Sequence, residues 1–131
     1  METARLVMSA FWALCQIVVT VVFITINRRA ADGRLQRNPL TGIRTGATMR
    51  SDQAWVAGHH AALRLTPLYL LLLAGTLTAL LVAALNASMG IAMLVGVGGL
   101  LSVVPLAVYS AIIASRAAKS ADGHANDRQR Q

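Results

Sequence analysis

Charge is what this sequence withholds. From Leu6 to Ile26, from Leu68 to Leu85 and from Ile91 to Ile113 there is no Asp, Glu, Lys or Arg. Each run has, or nearly has, the roughly 20 residues a helix needs to cross about 30 Å of hydrocarbon. That absence excludes a soluble fold, because a helix apolar on all sides requires lipid or deep burial. At 131 residues and 56% hydrophobic content, the chain has no room for an added globular domain. Cysteine is nearly missing too. Cys15 stands alone in mid-run, which excludes a disulfide within the chain and leaves a packing role. The runs hold no paired carboxylates, no Gly-x-Ser-x-Gly occurs, and the spans offer only Cys15, hydroxyls, an amide, Tyr69 and Tyr109. Nucleophilic catalysis has no support, and the protein is read as a non-enzyme. His59 and His60 are neighbours that a helix points about 100° apart, and His124 lies far along the chain. No metal site or other cofactor is expected.

What the sequence has instead is arginine between and after the runs. The formal net charge is +7, a value that in a soluble protein would point to nucleic acid. Its distribution argues against that partner. Residues 27–65 carry seven Arg against Asp32 and Asp52, and the stretch from Arg116 carries four basic residues against Asp122 and Asp127. Basic residues beside membrane spans orient the protein and meet anionic lipid headgroups. The uncharged turn Asn86-Ala87-Ser88-Met89-Gly90 belongs on the opposite side. The positive-inside rule therefore gives three spans, with the amino terminus outside and the carboxyl terminus cytoplasmic. The first run is expected to be an uncleaved span: its flank is neutral, and it lasts longer than the roughly 7–15 apolar residues of a secretory signal.

The expected fold is an all-α membrane protein, with a cytoplasmic loop and a short interfacial helix between the first and second of three transmembrane helices. The spans are placed at about 6–26, 67–86 and 90–115, in one membrane domain covering 1–116. Gly33, Pro39, Gly42 and Gly46 make residues 27–50 a loop. Ser51 caps a helix beginning at Asp52, with Trp55, His59 and Leu63 on one stripe and Gln53, His60 and Arg64 on another. Thr66-Pro67 opens the second span. Gly75, Ala79, Ala83 and Ala87 form a small-residue column there, and Ala92, Gly96, Gly98, Gly99 and Ser102 supply small residues in the third span. Such faces pack helices together and could also mediate oligomers. Pro105 should kink the third span, and residues 117–131 are expected to be a mobile polar tail.

The most informative stretch is Asn38-Pro39-Leu40-Thr41-Gly42-Ile43-Arg44-Thr45-Gly46-Ala47-Thr48, followed by Trp55 and His59. Gly42, Arg44, Thr45, Thr48, Trp55 and His59, with Asn38-Pro39 before them and the order span, loop, span, span, resemble the SdpI family of small bacterial membrane proteins. The family usually has Arg directly after the His, where this chain has His60. Between the two threonines it often has Pro and an aromatic, where this chain has Gly46-Ala47. The resemblance implies a multi-pass protein of the bacterial plasma membrane. It also implies immunity to a secreted peptide toxin, or signalling through a regulatory protein held at the membrane. An oligomeric transport or channel subunit, or an accessory subunit of a larger membrane complex, is the alternative.

Two physical readings of the motif stand side by side. In one, glycines and hydroxyls staple the loop. In the other, Arg44 centres a pocket for an anion or headgroup, its guanidinium packed against the Trp55 ring. An Arg44 that grips an anion through its planar fork would tolerate Lys hardly better than Ala. One that acts as a topological charge would accept Lys freely.

Overall fold

The computed structural model describes residues 2–86 and 88–129, with 124–129 described by backbone alone. Among these the chain forms four helices and no strand: α1 Glu2–Ala31, α2 Asp52–Leu63, α3 Thr66–Asn86 and α4 Met89–Gln129. Helices α1, α3 and α4 are each long and apolar enough to cross a bilayer. The chain is a multi-pass membrane protein. It packs as two compact units, one of Met1–Val22 with Pro67–Leu106, the other of Phe23–Thr66 with Ala107–Gln131.

In the first unit, α1 is built inside out. At 100° per residue, Val7, Phe11, Leu14, Val18 and Val21 share one side of the helix, and all five are exposed. On the opposite side lie Ser9, Gln16 and Thr20, at most 5% exposed. A water-soluble helix buries its apolar stripe. This one buries its polar stripe, which is favourable only where the surroundings are hydrocarbon.

Small residues on α4 bring the helices of this unit together. A Cβ on Gly96 would fall on the indole of Trp12, and one on Gly99 would meet the Thr76 side chain. With buried Ala92 these glycines form the packed face of α4. The small column expected on α3 does not act this way. Gly75 and Ala79 are exposed, and Ala87 lies outside the described residues. The buried face of α3 is Tyr69, Thr76, Leu80, Ala83 and Ala84. The reason is geometric: successive steps of four residues turn by about 40°, so a strict i+4 column winds off a straight helix face. Gly98 likewise faces open space.

Helix lengths differ from the expected spans in informative ways. Helix α1 runs on through Asn27, Arg28 and Arg29 to Ala31, because cations in a last turn are favourable beside the helix carboxyl end. It stops where Gly33 takes φ +72, with Asp32 N–H on the Arg28 carbonyl at 2.9 Å and Leu35 N–H on the Arg29 carbonyl at 2.9 Å. Helix α4 passes Pro105 without interruption and continues through the polar stretch assigned to a tail. Within the second unit, Ala114 and Ala118 are completely buried and Asp122 accepts a hydrogen bond from Ser51, so residues 117–123 are packed helix. Alanine-rich sequence favours that continuation.

The α1–α4 contact yields the first prediction. Gly96→Ala should destabilise the detergent-solubilised protein by about 1–3 kcal/mol through overpacking against Trp12. Gly98→Ala, at a site with nothing within 4 Å, should leave it unchanged or slightly stabilised. Denaturant-induced unfolding of the two variants side by side provides the check.

Candidate functional site

The second unit arranges the motif residues around α2. Ser51 is the N-cap, with extended backbone, and its Oγ accepts from Ala54 N–H at 3.1 Å. The same hydroxyl donates to Asp122 Oδ1 at 2.7 Å, so one side chain caps α2 and ties it to α4. Glycine makes a second tie possible. A Cβ on Gly58 would lie 2.7 Å from Thr48 Cγ2 and 3.1 Å from the Ala114 carbonyl oxygen. Ala47, Ala54 and Ala118 form a small core here.

Trp55 and His59, one turn apart on the buried face of α2, hold the loop from beneath. Their ring centroids are 4.1 Å apart. The Trp55 indole N–H donates to the Leu35 carbonyl at 2.9 Å. His59 is completely buried. Its Nε2 lies 2.9 Å from the Ile43 N–H, and its Nδ1 lies 2.8 Å from the Trp55 carbonyl. A backbone N–H can only donate and a carbonyl can only accept. His59 must therefore be neutral, with its proton on Nδ1 and a lone pair on Nε2. Burial lowers its pKa below the ordinary 6.5, and the hydrogen bond to Trp55 opposes this more weakly.

Gly42 lets the loop reach these rings. Its φ is +100, and a Cβ there would sit 2.6 Å from Trp55 Cη2 and 2.8 Å from His59 Nε2. Thr45 and Thr48 close the next turn reciprocally. Thr45 N–H donates to Thr48 Oγ1 at 2.9 Å, Thr48 N–H to Thr45 Oγ1 at 3.2 Å, and Thr48 Oγ1 to the Ile43 carbonyl at 2.7 Å. Asn38 shapes the approach: its Oδ1 accepts from the backbone N–H groups of Leu40 and Thr41, at 3.0 and 2.8 Å. This is a side-chain turn of the kind Asn favours. Pro39 contributes its carbonyl, which accepts from the Arg44 guanidinium.

The structure thus gathers Gly42, Thr45, Thr48, Trp55 and His59 into one neutral, hydrogen-bonded staple. Arg44 is exposed, and its guanidinium turns to the Pro39 carbonyl; the Trp55 ring meets Gly42 and His59. Every other arginine of residues 27–65 is exposed as well. Arg37 is the most engaged of them, donating to the Met49 carbonyl at 2.7 Å and standing 3.4 Å from Asp52 Oδ1. It also borders a cavity of about 390 Å³ shared with Leu35, Asp52 and Trp55. Leu35, Ile43 and Asp122 were not foreseen as partners. Two of them act through backbone atoms, which carry no residue signature. Among the described residues no cluster of three His, Cys, Asp or Glu is placed to hold a metal.

Two outcomes follow. Gly42→Ala should cost about 1–3 kcal/mol, since the new methyl meets both strained backbone and filled space. Below pH 6.5 an unfolded chain takes up a proton that folded His59 refuses. Its contribution to stability is therefore intact above 6.5 and lost as pH falls through the lowered folded value. Melting in detergent should show that loss between neutral and acidic pH. The slope should persist in His60→Gln and flatten in His59→Gln.

Comparison with curated proteins and with solved structures gives no match. Comparison with family models does: residues 34–110 match the SdpI/YfhL protein family. The match takes in the whole loop staple, α2, α3 and the apolar start of α4, more than half of the chain. The chain belongs to the SdpI/YfhL family.

Proposed function

We propose that this protein is a non-enzymatic membrane protein that works through an arginine-covered face at the cytoplasmic surface of the bacterial plasma membrane. Its role there is to give immunity to a secreted, membrane-active peptide toxin, or to hold a regulatory protein at the membrane. The supporting observation is the division of labour in the second unit. Trp55, His59 and Thr48 of the neutral staple are buried, while seven arginines, set against Asp32 and Asp52, are all exposed. A rigid interior beneath a basic surface suits binding to anionic headgroups or to an acidic protein surface, and neither needs a catalytic group. In this reading the amino terminus lies outside and the carboxyl terminus inside.

Arg44 then acts chiefly as a positive charge presented by the loop. Arg44→Lys should retain most of the activity and Arg44→Glu should lose it, because an exposed charge has no need of the planar fork. The measurement is survival of a sensitive host expressing each form during exposure to a membrane-active peptide toxin. Equal sensitivity with and without the wild-type protein, together with no regulatory protein recovered on it, would contradict the proposal.

A further inference from the structure

We propose that the interior of the first unit holds water, bound along the polar side of α1 by Ser9, Trp12 and Gln16. Gln16 is 1% exposed, yet neither its Nε2 nor its Oε1 has a hydrogen-bond partner. Ser9 Oγ and Trp12 Nε1 are also buried without one. The three residues follow each other at spacings of three and four, so their polar atoms line one side of the helix over about 10 Å.

Two hydroxyls on α3 and α4 satisfy themselves locally. Thr78 donates to the Ala74 carbonyl at 2.9 Å, and Ser102 to the Gly99 carbonyl at 2.6 Å. Such back-bonding is open to a hydroxyl, but it cannot serve the Gln16 carbonyl oxygen, which needs a donor. Inside a membrane bundle the helix N–H groups are already spent on their own carbonyls. The ligand must therefore both donate and accept. Ser9, Trp12 and Gln16 carry no charge of either sign, so the amide, the hydroxyl and the indole N–H together favour a small neutral molecule over an ion. Water is the ligand of that class, and buried waters typically join two to four otherwise orphaned polar groups. At the Ser9 end, Ser9 is the one polar residue lining a largely open, apolar cleft of about 250 Å³ whose other walls include Ala10, Ala13, Leu80 and Ala84. A single water needs far less room.

The consequence is a hydrated seam within the first span, hidden from lipid by the apolar side of the same helix. The test uses the full-length protein in lipid bilayers and solid-state NMR with magnetisation started on water. The Gln16 side-chain amide and the Trp12 indole N–H should gain signal several-fold faster than the methyls of lipid-facing Val18. Gln16→Leu should markedly slow transfer to the Trp12 indole. Build-up at the wild-type Gln16 amide as slow as at Val18 would show a dry interior and overturn the proposal, whether or not the variant folds.

Discussion

The bilayer's refusal to solvate polar groups is the constraint on which this structure depends. Hydrocarbon offers no hydrogen bonds, so a spanning backbone must satisfy itself as helix, and side chains that want partners must turn inward. Helix α1 follows that rule from Val7 to Val21, with Val7, Phe11, Leu14 and Val18 outward and Ser9, Gln16 and Thr20 inward. The apolar outer side gives no reason for helices to associate in lipid. Close approach at Gly96 and Gly99 supplies the contact instead, through dispersion between tightly fitted surfaces.

A different logic governs the second unit, where the loop must be ordered without a large apolar core. Backbone hydrogen bonds to side chains do much of that work. His59 joins two backbone groups, Ile43 N–H and the Trp55 carbonyl, and can do so only while uncharged. Trp55 reaches Leu35, and Ser51 reaches both Ala54 and Asp122. Each bond alone is worth about 1 kcal/mol net, but leaving a buried partner unmet costs more. The interior of this unit is neutral and the arginines stand outside it. Protonating the interior would weaken the loop, and changing the exterior charge would alter what the loop presents.

Much of the fold was legible because charge and its absence are unambiguous in lipid. Three uncharged runs became three long helices, and Ser51 caps α2 as its position before Asp52 and Trp55 implied. The Gly42-to-His59 spacing pointed to the family that the comparison identifies. Other features were hidden for physical reasons. Arg28 and Arg29 looked like a loop, but a helix carboxyl end welcomes cations. Gly75 and Ala79 looked like a packing column, but i+4 steps wind away from a fixed side. The bond from Ile43 to His59 depends on the path of a left-handed glycine, which residue types alone do not give. The polar side of α1 was present in the spacing of Ser9, Gln16, Thr20 and Asn27. Its significance emerged only when those residues proved to be the buried ones.

Spin-label scanning of α1 in lipid bilayers tests the inside-out arrangement most directly. Single labels from Val7 to Val22 would be compared for accessibility to oxygen, which dissolves in hydrocarbon, and to a water-soluble nickel chelate. Oxygen accessibility should oscillate with a period of about 3.6 residues, with maxima at Val7, Phe11, Leu14 and Val18 and minima at Ser9, Gln16 and Thr20. A flat profile, or one with its maxima on the polar residues, would contradict a first span that turns its polar side away from lipid.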